Sequence, residues 1–302
     1  LKSITIPEGV TEIGGIAFEG CTSLKSITIP DSVTEIGGSA FYGCTSLESI
    51  VVADGNPVYD SREGCNAIIE TATNTLIQGC KTTVIPNSVT KIGSSAFSGC
   101  TSLENITIPN SVTEIGGFAF YDCSSLTSVT IPDSVTSIGW NAFRGCTSLE
   151  NITIPESVTN IGYRVFCGCT SLKSITIPNS VTQIGWDAFI GCTSLKSIII
   201  PESVTYIGTG AFNGCTSLES ITIPESVTEI GSRAFKGCTS LKSITIPDSV
   251  TEIGYDAFSG CTSLVTITVP AKKSYYYKQR LKWNVHDKIV ELAPEKEDKE
   301  IT

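Results

Sequence analysis

Residues 24–46 read LKSITIPDSVTEIGGSAFYGCTS, and this 23-residue phrase returns along almost the whole chain. Leu1, Leu24 and Leu47 open three units. After a longer step, Cys80, Leu103, Leu126, Leu149, Leu172, Leu195, Leu218, Leu241 and Leu264 open nine more at the same spacing. A strict period of this length means one solenoid turn per unit, each turn contacting its neighbours. It overrides the two domains that a 302-residue length suggests at about 150 residues each.

The unit reads physically when its Leu is numbered position 1. Leu24, Ile27 and Ile29 are apolar with a polar residue between the last two, which is the alternation of a half-buried strand. Ile and Thr suit a pleated surface, and Pro30 at position 7 ends the ladder because it has no N–H. Equivalent strands run the same way, so the sheet is parallel. Val33, Ile36, Ala40, Phe41 and Cys44 supply the remaining inward side chains, about eight per unit, and Gly37 and Gly43 mark turns. Positions 15–21 leave room for no more than one helical or 3-10 turn. The expected fold is an α/β leucine-rich-repeat solenoid, a right-handed horseshoe that is mostly β. Its parallel sheet lines the concave face, with short strands and 3-10 or helical turns on the convex side.

The pattern LxxIxIPxSVTxIGxxAFxGCTS over residues 1–270 resembles the bacterial leucine-rich repeats typified by the BspA-like surface proteins and the Treponema pallidum repeat class. The resemblance implies a cell-surface or secreted location and a role in adhesion. Host matrix proteins such as fibronectin or fibrinogen would then be partners. It does not name the ligand, because one fold hosts many functions.

Composition excludes other classes. With 20 Lys+Arg against 30 Asp+Glu the net charge is −10, so there is no basic footprint for nucleic acid. The longest Ile run is Ile198–Ile200, and no segment approaches the ~18 apolar residues of a membrane span. The single His, His286, has no evident Cys or Ser partner, and no P-loop, GxSxG or HExxH motif occurs. The chain reads as a non-enzyme without a cofactor.

Ten of the 13 Cys fall at position 21, from Cys21 and Cys44 to Cys261. Stacked about 5 Å apart, their parallel Cβ vectors do not converge as a disulfide or a tetrahedral zinc site requires. They read as reduced thiols packed as small apolar groups. Cys167, at position 19, is expected to be exposed and free. Position 8 stacks Asp133, Glu156, Asn179, Glu202, Glu225 and Asp248, read as a solvated acidic edge.

Two stretches break the repeat. The unit opened by Leu47 runs over 47–79, and Asn66–Thr71 and Thr75–Gln78 look like strands of a β-hairpin standing out from the solenoid. This is either a tolerated surface insertion or a contact element. In the register that pairs Glu70 with Thr75, Cys65 and Cys80 lie opposite one another, which allows a disulfide; the alternative is two reduced thiols with Cys80 in the core. Residues 271–293 are expected to cap the open end with Tyr276, Leu281 and Trp283, and 294–302 to be disordered. Residues 271–302 carry 8 basic and 6 acidic side chains, so the solenoid holds 12 basic and 24 acidic. At the other end Leu1 opens a unit without a preceding Met, which suggests native residues upstream or a contact covering that end.

The concave positions 3 and 5 are nearly monotonous, Ser or Asn at 3 and mostly Thr at 5, poor in the Trp, Tyr and Arg that dominate binding energy. They suit a Thr ladder that stabilises the sheet, or weak repeated contact with an extended partner. Diversity lies at positions 12, 15, 16 and 19. Trp140, Tyr163 and Trp186 follow one another at position 15, with Arg164 and Asp187 at position 16 and Tyr206 at position 12 of the next unit. These should share one side over ~15 Å, three strand spacings. An aromatic stripe with Arg fits an interface core or a sugar-stacking platform, or else mutual stacking that shields turn backbone. The expected function is a protein-interaction or adhesion module, with a glycan-binding surface or a passive spacer as alternatives.

Overall fold

The computed structural model describes residues 2–281 and 283–292, and only the backbone of Trp283 and Asn284. The capping role expected of Trp283, and the disorder expected of 294–302, lie outside the described residues.

Each regular turn contributes two short parallel strands. The first occupies positions 3–5: Asn151–Thr153 pairs with Ser174–Thr176, Ile152 opposite Ile175. The second, at positions 12–13, is one of the short strands expected besides the concave sheet: Gln183–Ile184 pairs with Tyr206–Ile207, Ile184 opposite Ile207. The register equals the repeat, so like stacks on like. The expected 3-10 or helical turn is instead a pair of successive turns, Tyr42 N–H to Ser39 C=O and Cys44 N–H to Phe41 C=O.

Burial follows the pattern. In one unit Leu172, Ile175, Ile177, Val181, Ile184, Ala188, Phe189 and Cys192 are all buried. From Phe97 to Phe258 successive position-18 rings stack with centroids 5.1–5.8 Å apart and planes within 11° of parallel. Offset stacking of this kind adds to the burial each ring already contributes. All 13 Cys are free. Cys167 is half-buried, not exposed.

Hydroxyl ladders occur, but not at position 5. Thr136 Oγ1 donates to Thr113 O at position 11, Thr170 Oγ1 to Thr147 O at position 22, and Ser180 Oγ to Val158 O at position 9. Position-5 side chains stand perpendicular to the sheet, away from its in-plane carbonyls, whereas turn hydroxyls lie beside carbonyls of the preceding turn.

Two backbone positions set the turn. At position 14 the turns approach so closely that a Cβ on Gly139 would sit 2.4 Å from Gly117 N. At position 16 the chain enters the left-handed region whatever the residue, with φ of 56° at Asn141, 54° at Arg164 and 53° at Asp187.

The expanded unit does not stand out from the solenoid. Ala67–Glu70 and Thr75–Gly79 form an antiparallel hairpin, but Thr75–Gly79 then pairs in parallel with Lys91–Ile92 of the next turn. Ala67, Ile68, Ile69 and Leu76 are fully buried, and burial of this much apolar surface favours the inserted position. The core divides here into two clusters, one reaching from Ile6 to Cys80 and one from Cys65 to Val285. A bulge between Ile68 and Ile69 shifts the register, so Ala67 faces Gly79. Cys80 is consequently carried past Cys65 and places its thiol 3.4 Å from Asn66 O.

At the C-terminal end the Ser274–Arg280 helix covers the last turn with Tyr277, fully buried, together with Leu281 and Val285. Tyr276, expected in that role, is only half-buried and donates its hydroxyl to Thr251 O at 2.7 Å. His286 sits in this cap with Nε2 2.8 Å from Leu281 O. The Ile289–Glu291 strand, unforeseen from sequence, extends the sheet by pairing with Thr266–Val269.

Candidate interaction surface

Position 15 is exposed because of what flanks it. At Gly139 and Gly185 position 14 lies against the preceding turn, and in all three units the left-handed residue at 16 reverses the chain, so the side chain at 15 projects outward. A ladder of main-chain bonds fixes the row. Asn141 N–H donates to Tyr163 O, Arg164 N–H to Trp186 O and Asp187 N–H to Thr209 O, at 2.8–3.0 Å.

The structure brings all six singled-out side chains into this row. Trp140 and Trp186 are 56% and 60% exposed, and Tyr163 is 38% exposed. Trp186 Nε1 donates to Tyr206 Oη at 2.8 Å, tying two turns together. Arg164 donates through Nε at 3.0 Å and the guanidinium terminus at 2.9 Å to Asp187 Oδ2. Its guanidinium also lies 4.8 Å over the Tyr163 ring. The pair is partly shielded, and the hydrogen bond to Asp187 raises the guanidinium pKa against the opposing effect of burial.

The row is longer than sequence reasoning made it. Phe118, at position 16, packs its ring edge-on against Trp140 with centroids 4.5 Å apart. Phe118 also meets Tyr121 at 5.4 Å, and Tyr121 stacks on Tyr42 at 6.1 Å across the expanded unit. Arg144 lies 5.4 Å over Tyr121. Tyr42 Oη donates to Asp122 Oδ2 at 3.1 Å, and burial followed by this bond pushes the phenol up to about 12. Tyr255, at position 15 three units beyond Trp186, is 69% exposed. Phe118, Tyr121, Tyr42 and Arg144 fall at positions 16 and 19, two of the positions at which the repeat register places diversity. Beside the row, Asn141 is buried and its Oδ1 has no hydrogen-bond partner among the described residues.

The remaining surface is plainer. The position-8 carboxylates are exposed, and Glu156 accepts the N–H of Ser180 at 3.2 Å. Lys173 pairs with Glu150 and Lys242 with Glu219, both largely in solvent, where such pairs contribute little. No cluster of three His, Cys, Asp or Glu side chains that could hold a metal occurs among the described residues. No described helix is long and apolar enough to cross a membrane.

The comparisons with known proteins agree with this architecture. The family model of the BspA type leucine-rich repeat region, with six copies, matches residues 1–62, 74–196 and 183–282. A leucine-rich repeat protein from Eubacterium ventriosum superposes with a TM-score of 0.65 at 27% identity, over 86% of this chain. The chain spans 64% of the length of that protein. A leucine-rich cell surface protein from Faecalibacterium prausnitzii is 32% identical with a TM-score of 0.54, covering 93% of this chain and 90% of its own. The T. pallidum leucine-rich repeat protein is 35% identical with a TM-score of 0.53, over 58% of this chain and 82% of its own. No curated protein matches the chain significantly.

Proposed function

The chain belongs to the BspA-type leucine-rich-repeat family, and from that premise we propose that it is a non-catalytic protein-interaction module of a bacterial cell-surface or secreted protein. Its partner is an extracellular or host-matrix protein, held by the row Trp140, Tyr163, Arg164, Trp186, Asp187 and Tyr206. The observation that carries this reading is the exposure of Trp140 and Trp186 on turns joined by a ladder of main-chain hydrogen bonds. Large rigid rings held out of the core lose little conformational freedom on binding and are the side chains that dominate interface energy. The Arg164–Asp187 pair adds polar contacts at the rim of the apolar patch. The Faecalibacterium relative is a cell surface protein, which supports the location.

A glycan is the second reading, favoured by the spacing of the two Trp. They stand two turns apart, about 10 Å by strand spacing, as platforms on which successive apolar sugar faces could stack. The test is binding to a panel of matrix proteins and to a glycan array, with Trp140→Ala and Trp186→Ala variants alongside. Protein binding lost in the variants supports the interaction module. Glycan binding lost in the variants transfers the row to sugars. Binding unchanged in both variants removes the row from the function, and no binding to either panel leaves a passive spacer.

A further inference from the structure

The inner sheet has an interruption that the aromatic row does not explain. The Asn105–Thr107 strand is the first of a six-stranded sheet, and positions 3–5 of the preceding unit, opened by Cys80, hold no strand to pair with it. At the far end of that sheet Ser220–Thr222 still lies beside Ser243–Thr245, whereas the stretch 82–85 forms no strand at all. The cause is the hairpin. Thr83 Oγ1 donates to Asn66 O at 2.7 Å and Val84 N–H to Cys65 O at 3.1 Å, which draws this segment away from its neighbour. Among the described residues no backbone hydrogen bond joins 82–85 to 104–108. Between the two segments opens a groove of about 490 Å³, lined by Thr83, Val84 and Asn87 on one side and Asn105, Thr107 and Asn110 on the other. No charged side chain lines it, and Val84 is 73% exposed.

The groove is edged with main-chain donors and acceptors. In a parallel sheet alternate residues turn both N–H and C=O to the same neighbour. Position 6 faces the following turn: Ile246 N–H donates to Thr268 O, and Ile29 O accepts from Ala53 N–H. Positions 3 and 5 therefore face the preceding turn. For this strand, the N–H and C=O groups of Asn105 and Thr107 point into the groove, where no strand meets them.

We propose that this groove accepts an extended, uncharged segment of a partner protein, added as a parallel strand to the open edge of Asn105–Thr107. Edge addition of this kind draws its affinity from main-chain bonds and its specificity from alternate side chains. The occupant follows from the lining. A neutral rim without Lys, Arg, Asp or Glu complements an uncharged peptide and offers nothing to an anion or a basic tail. A stable interface between folded proteins buries about 1,600 Å², so a groove of this volume takes a few residues of strand and not a globular face. The parallel register of every neighbouring pair sets the pattern the segment must follow, with β-branched side chains at alternate positions. This site lies at positions 3–8, apart from the row at positions 12–19, and does not depend on it.

The probe is a capped peptide Ser-Ile-Thr-Ile-Pro-Asn, which copies residues 174–179. Its control is the same peptide N-methylated at both Ile, the amides that would face Asn105–Thr107. Binding is titrated by NMR into the millimolar range, with hydrogen exchange followed at the Asn105 and Thr107 amides. The expected result is binding of the plain peptide, protection of both amides, and no binding of the methylated one. Thr107→Pro removes one groove-facing N–H and is tolerated because that N–H lies outside the existing ladder. It should weaken binding about tenfold, the order that losing one backbone hydrogen bond gives. Absence of peptide binding, equal binding of the methylated peptide, binding without amide protection, or full affinity in folded T107P overturns the proposal. A self-association abolished by T107P, with no peptide bound, assigns the edge to a second copy and also overturns it. If T107P does not fold, the exchange and methylation arms on the unaltered protein decide.

Discussion

Cys146 places its thiol 3.1 Å from the carbonyl oxygen of Phe120, in the preceding turn, and the same oxygen accepts the N–H of Cys123 at 3.2 Å. The relationship recurs from Cys123 on Phe97 to Cys261 on Phe235. Position 21 is thus more than a small apolar filler. Its S–H gives the Phe carbonyl a second donor, and burial holds the thiol in its protonated, donating form.

Cys146→Ala should destabilise the protein by about 1–2 kcal/mol, combining a lost hydrogen bond with a small cavity. Cys167→Ala, at a half-buried position outside the ladder, should stay within about 0.5 kcal/mol. Urea unfolding of the two variants checks the difference.

Stability should fall above about pH 8.5, the pKa of an unfolded thiol. Burial pushes Cys44 and Cys261 up to about 11, and it also raises the position-21 thiols from Cys100 to Cys238. Between the unfolded and folded values the unfolded chain has released protons that the native one keeps, so each thiol weakens folding by about 1.4 kcal/mol per pH unit. Below pH 8.5 this contribution is fully present. Thermal melts under reducing conditions at pH 7 and pH 10 should show a large loss at the higher pH.

Gly139→Ala should cost about 2 kcal/mol or more, because its Cβ would meet Gly117 N at 2.4 Å. Gly162→Ala, at the same repeat position, meets nothing nearer than 3.8 Å and should cost no more than about 0.5 kcal/mol. Equal effects would mean that close approach of the turns is not what selects glycine there.

Tyr277→Ala should cost about 3 kcal/mol and expose the last turn, since the ring is fully buried and donates to Val250 O at 3.3 Å. Hydrogen exchange should then rise at the Thr266–Val269 strand while the central turns stay protected, as expected of a nearest-neighbour stack.

The regular part of this fold is legible because one pattern repeats. The Leu172 to Cys192 set states its inward positions unit by unit, and the period fixes the register. Legibility fails where a feature is too short or is decided by distant partners. Short strands besides the concave sheet are expected, but the two-residue Gln183–Ile184 strand has no alternation from which to read its bounds. The place of the hairpin depends on where Ile68 and Ile69 find apolar neighbours, and the bulge that separates Cys65 from Cys80 leaves no mark in composition. In the surface row, Trp140 and Trp186 announce themselves, whereas Phe118 joins them only because the left-handed turn at position 16 points it back toward the Trp140 ring.

The most direct test of a stack built on reduced, buried thiols is thiol titration without reductant, native and then in concentrated guanidinium. Denatured protein should show all 13 thiols, and native protein should react at Cys21 and Cys167 first, the two that are only half-buried. One or three thiols after denaturation would mean that the position-21 cysteines are bridged, and would contradict the ladder on which the fold is argued.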